Sequence, residues 1–118
     1  TTLESPAEAE RALIGRGVAV IRVPTAADGR VDLRAAVRAL GARGVTRVLC
    51  EGGPSLAEAL AEAGLVDELA LFTSGTVRAE GGLEALGASL RRAVEGGMTL
   101  RTAETLGPDR FELYERAD

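Results

Sequence analysis

The stretch Val45-Thr46-Arg47-Val48-Leu49-Cys50-Glu51-Gly52-Gly53-Pro54-Ser55-Leu56 decides how this chain folds. Its apolar first half, Val45 to Cys50, reads as a strand. Glu51 and two glycines stop that strand, and Pro54 opens a helix with Leu56, Ala59, Leu60 and Ala63 on one face. Strand, glycine turn and helix start in that order aim backbone N–H groups at an anion at the helix's positive end. The same order sets a carboxylate, Glu51, at the carboxyl end of a strand, where open α/β sheets bind ligands.

Each residue of the turn has a ligand reading and a plainer one. Gly52 and Gly53 let a ligand approach the backbone with no Cβ in the way, or they serve only a tight turn with positive φ. Ser55 donates to a phosphate or helps to cap its helix. Glu51 hydrogen-bonds a polar substrate or takes part in proton movement. Cys50 reads as a small buried hydrophobe, because no base is available to activate it.

Upstream, Ser5-Pro6-Ala7-Glu8 has the form of a capping box, followed by Ala9, Ala12 and Leu13 and closed by Gly15-Arg16-Gly17. Val18 to Val23 is a β-branched strand ended by Pro24, and Asp28-Gly29 marks a turn. Asp32 reads as the N-cap of a helix with Leu33, Ala36, Val37 and Leu40 at helical spacing, closed by Gly44. Downstream, Gly64 ends the third helix and Val66 to Phe72 forms a third strand, with Asp67-Glu68 solvated at its start.

Thr73 to Gly82 is polar and reads as a loop. Leu83, Leu86, Leu90 and Val94 keep helical spacing, with Arg91-Arg92 on an exposed face and Gly81-Gly82 and Gly96-Gly97 as turns. Met98 to Leu106 and Arg110 to Glu115 flank Gly107-Pro108-Asp109 as a hairpin. The expected architecture is three-layer α/β, a mostly parallel sheet with helices on both faces and a C-terminal antiparallel hairpin.

Composition narrows the function. The 118 residues suffice for one domain, and the net charge of −4 comes from interspersed acids and bases, so no basic face for nucleic acid stands out. Phe72, Phe111 and Tyr114 are the only aromatics, too few for base-stacking platforms. With no histidine, imidazole acid–base chemistry, Ser-His-Asp triads and His-based metal sites are excluded within the chain. The single cysteine forms no internal disulfide, and no signal peptide or long apolar run is present, so a cytoplasmic location away from membranes is expected. The start at Thr1, without a methionine, reads as that of a piece of something longer.

The run VLCEGGPSLAEALAEAGLVDELALF, Val48 to Phe72, resembles the RibD C-terminal (riboflavin-pathway reductase) family, whose pattern is strand, EGG, helix, LVDEL, strand. TTLESPAEAERALIGRGVAVIRVP and GRVDLRAAVRALGARGVTRVL follow the same family in order, so residues 1–72 match closely and the Gly107 to Tyr114 hairpin loosely. The resemblance implies a dihydrofolate-reductase-like fold. It also implies NADPH-dependent reduction of 5-amino-6-(5-phosphoribosylamino)uracil to the ribitylamino compound, with hydride going to C1 of the ribosyl group as its ring opens.

Carried onto this sequence, Gly52, Gly53, Pro54 and Ser55 would lie against NADPH and Glu51 would face the substrate. Thr1 and Thr2 would end a strand near the adenosine half of the cofactor. Residues 1–118 would be the carboxyl-terminal portion of a reductase domain that associates as a homodimer. The family's amino-terminal half lies outside this sequence, so turnover by residues 1–118 alone is not expected. Its Ala-Pro and Gly-rich loop is replaced by Thr73-Ser74-Gly75-Thr76-Val77. A different class of function, a non-catalytic nucleotide- or phosphate-binding or dimerisation module, would keep the glycine turn without the chemistry.

Overall fold

A computed structural model describes residues 1–76 and 84–117. The chain forms two compact units, Thr1–Leu49 and Cys50–Asp118.

In the first unit, α1 (Ala7–Ile14) and α2 (Leu33–Gly41) are joined by an extended segment and a small turn. The Asp32 carboxylate accepts from the Ala35 amide at 3.0 Å, so the N-cap expected from the sequence forms. The capping box at Ser5 does not. Pro6 stands at the N-cap of α1, and the Ser5 hydroxyl lies 3.1 Å from that of Thr2 instead. A short hydroxyl that finds a nearer partner no longer reaches the helix amides.

Val18 to Val23 makes only the beginning of a strand pairing. Thr2 bridges Val23 in the parallel sense, the Val23 amide donates to the Thr1 carbonyl at 2.9 Å, and the Thr1 amino group donates to the Ile21 carbonyl at 2.9 Å. Arg22 fastens this pairing to α1. It donates to Glu10 at 2.8 and 2.6 Å and to the carbonyls of Leu3 at 2.6 Å and Ser5 at 3.0 Å. Thr25 bridges Val31 around the Asp28-Gly29 turn, where Gly29 takes a φ of +80°. Val23 is the unit's buried hydrophobic residue among those described.

In the second unit, α3 (Pro54–Glu62) and α4 (Ala88–Gly97) accompany three strands, β1 (Glu68–Ser74), β2 (Met98–Leu106) and β3 (Asp109–Arg116). The sheet order is β1-β3-β2 and both pairings are antiparallel. The hairpin is as the sequence predicts: Leu106 faces Asp109 across Gly107-Pro108, and Gly107 has a φ of +63° that a Cβ would oppose. Arg116 closes the start of β1, with its amide on the Asp67 carbonyl at 2.8 Å and its guanidinium on the Asp67 carboxylate at 2.6 Å. α3 lies against α4, α4 against β2, and Leu90 of α4 is buried.

The mostly parallel sheet is not what the described residues form. Val66 to Phe72 was expected to join it; the strand found there runs Glu68–Ser74 and pairs antiparallel with β3. Val45 to Cys50 enters no ladder among the described residues, and Val48 and Leu49 are 59% and 81% exposed. Periodicity identifies apolar segments able to be strands but not which backbone they pair with. Cys50 is exposed, not buried, because the segment that carries it is uncovered. Gly96-Gly97 is the last turn of α4 and leads directly into β2. Gly81-Gly82, Leu83 and most of the Thr73 to Gly82 loop lie outside the described residues.

Candidate functional site

The turn between Cys50 and α3 is an exposed stretch. Glu51, Gly52, Gly53 and Ser55 are all exposed and Pro54 is half-buried at the first position of α3. Gly53 is the N-cap, with φ −64° and ψ 174°. Its carbonyl accepts from the Leu56 amide at 3.0 Å and the Ala57 amide at 3.3 Å, which closes the first turn of the helix. Among the described residues, the amides of Gly52, Gly53 and Ser55 and the Ser55 hydroxyl have no hydrogen-bond partner.

Neither glycine is there for positive φ; among the described residues the left-handed glycines are Gly17, Gly29, Gly44, Gly64 and Gly107. Gly52 has a packing reason, since a Cβ on it would come 2.8 Å from Leu56 Cδ2. Gly53 has neither reason. Its backbone angles suit any residue, and a Cβ there would meet nothing within 4 Å. Open space beside a bare backbone at a helix start admits an anionic group directly to the amides.

The other helix starts are differently occupied. The first turn of α1 carries Glu8 and Glu10, and α2 has Asp32 on its amides. α4 receives the carboxylate of Glu58, which accepts from the amides of Ser89 at 2.5 Å and Leu90 at 3.2 Å. These contacts, the Ser89 amide foremost, hold the Glu58 carboxyl below the usual carboxylate range. α3 has no acidic residue in its first turn and, among the described residues, no carboxylate bonded to its start.

Glu51 stands one residue before the two glycines, so the five residues singled out in the sequence share one exposed turn. Sequence reasoning missed Glu58. Its signal is faint, one acid inside an otherwise ordinary helix, and its partner amides lie 31 and 32 residues away. Asp67 is the solvated strand start expected, here paired with Arg116. Arg91 and Arg92 stay local, with Arg91 on the Leu86 carbonyl at 3.2 Å and Arg92 3.5 Å from the Ser89 hydroxyl.

An apolar hollow in the first unit is lined by Thr1, Ile21, Val23, Val31, Ala36 and Leu40, none of which has a charged side chain. No group of three or more metal-ligating side chains occurs among the described residues. No described helix is long and apolar enough to cross a membrane.

Residues 1–102 match the RibD C-terminal domain family, and the chain belongs to it. Among solved structures, a pyrimidine reductase-like protein from Corynebacterium diphtheriae aligns with a TM-score of 0.75 at 23% identity, over 100% of this chain and 49% of that one. That likeness is one of fold, and the chain spans about half the length of the solved protein. No curated protein matches the sequence significantly.

Proposed function

We propose that this RibD C-terminal domain is the cofactor-binding portion of a riboflavin-pathway reductase, and that its Glu51–Ser55 turn holds NADPH. The observation that carries this is Gly53, a glycine that neither its φ nor its surroundings require, at a helix start with open amides. Gly52, Gly53, Pro54 and Ser55 would lie against the cofactor. The dipole of α3 would favour each anionic charge by about 0.3–1 kcal/mol, and the Ser55 hydroxyl would add a donor. Glu51 would hydrogen-bond the substrate, a phosphoribosylamino-pyrimidine. The cofactor, when bound, supplies hydride for reduction of the ribosyl C1; the chain's own part is to bind and orient.

The proposal extends to architecture. Val18 to Val23 and Val45 to Cys50 are largely apolar and almost without ladder partners, which is costly for backbone that becomes buried. We read them as strands of a three-layer, mostly parallel sheet, residues 1–118 being part of a larger reductase domain. Self-association belongs to the same reading. Phe72, 65% exposed, lies tilted against the half-buried Phe111 with ring centroids 4.8 Å apart, an exposed aromatic of the kind a second copy covers.

Amide chemical shifts recorded during NADPH titration test the proposal. Gly53 and Ser55 should move together and saturate. Shifts confined to other residues would place the cofactor elsewhere.

A further inference from the structure

Glu58 and Gly87 form a fitted pair. Gly87 is the N-cap of α4 with φ −71° and ψ 178°, a conformation open to any residue. A Cβ on it would nevertheless run into the Glu58 carboxylate, with the carboxyl carbon 2.6 Å away. With glycine there, a half-buried carboxylate from α3 reaches the first amides of α4 with no Cβ in its path. Glu58 lies on the same short helix as the Gly52-Gly53-Pro54 turn, four residues past the helix's first.

We propose that Glu58 is a positioning residue that sets the geometry of the glycine turn by tying α3 to the start of α4. The turn has little else to fix it. Its own bonds are two amides on the Gly53 carbonyl, and its side chains are a carboxylate and a hydroxyl without partners among the described residues. A helix of nine residues is marginal by itself, so the tie to α4 supplies order that its sequence does not. Holding the turn before a ligand arrives removes part of the ordering cost of binding. The consequence for the cofactor rests on the function proposed above; the consequence for the turn does not.

Amide hydrogen exchange on the ligand-free protein separates the two. In Glu58→Gln, exchange should quicken at Ser89 and Leu90, which lose the carboxylate, and also at Leu56 and Ala57, which close the glycine turn. Gly87→Ala should give the same pattern from the other side, while Glu62→Gln, on the same helix, should change neither pair. In the assembled reductase, Glu58→Gln should raise the NADPH Kd and KM about tenfold with kcat retained, as loss of preorganisation does. Faster exchange at Ser89 and Leu90 alone, with Leu56, Ala57 and the Kd unmoved, would overturn the inference. If the wild-type protein shows no NADPH binding while all four amides respond, the cofactor reading falls and the positioning role stands.

Discussion

Gly52 lies so close to Leu56 that a Cβ on it would come 2.8 Å from Leu56 Cδ2, whereas a Cβ on the adjoining Gly53 would meet nothing within 4 Å. Two neighbouring glycines thus differ: one is packed against a side chain, and the other has open space beside it. Gly52→Ala should force the Leu56 side chain from its rotamer and cost about 0.5–1.5 kcal/mol. Leu56 is 41% exposed and has room to yield, which sets the value toward the low end. Gly53→Ala should leave the melting temperature almost unchanged. Alanine is the poorer N-cap but restricts the unfolded chain, and these effects, each about 0.4–1 kcal/mol, oppose one another. Thermal unfolding of the two variants side by side is the check.

Gly64 closes α3 with a φ of +64°, its amide on the Ala61 carbonyl at 2.9 Å and the Leu65 amide on the Leu60 carbonyl at 2.9 Å. Gly64→Ala keeps these bonds only in a left-handed conformation that costs about 1–2 kcal/mol. A lowered melting temperature is expected, read by circular dichroism.

Asp32→Ala removes the side chain that accepts from Ala35 and should cost about 0.5–2 kcal/mol, against which Asp32→Asn should be nearly silent. Chemical denaturation of the three proteins measures this.

Several carboxyls sit below their ordinary value of 4.5: Glu10 through its hydrogen bonds from Arg22, Glu58 through the Ser89 amide and Glu112 through Arg110. A depressed folded-state pKa contributes stability that is present above the unfolded value and lost as pH falls through the folded one. Stability should therefore decline below about pH 4.5, and Glu10→Gln should flatten that decline. At the alkaline end, desolvation and then Glu112 raise the Tyr114 phenol above its ordinary 10.0, so its contribution is lost as pH rises through and beyond that value. Unfolding free energy measured across pH tests both limbs.

What the sequence makes legible follows the range of each interaction. The Asp32 cap, the glycine ends of α2 and α3 and the Gly107 hairpin are decided within a few residues, and each forms where local chemistry places it. Pairing is not local. Whether Val45 to Cys50 is a strand depends on backbone remote in sequence, so its apolar pattern proves insufficient. The Ser5 capping box fails for a nearer reason, since the Thr1 and Thr2 hydroxyls both engage that of Ser5. In the site, the five residues of the turn are contiguous and could be read together. Glu58 could not, because its meaning resides in amides at the far end of another loop.

In the function proposed above, Gly53 keeps the backbone open for a nicotinamide cofactor. The most direct test of this is NADPH titration, by fluorescence, of the assembled reductase with Gly53→Val beside Cys50→Ala. Valine should leave the fold intact, as shown by an unchanged melting temperature, and weaken NADPH at least about tenfold, a loss of about 1.4 kcal/mol. Cys50→Ala should bind as the wild type does. Unaltered affinity in Gly53→Val, or equal losses in both variants, would contradict the account.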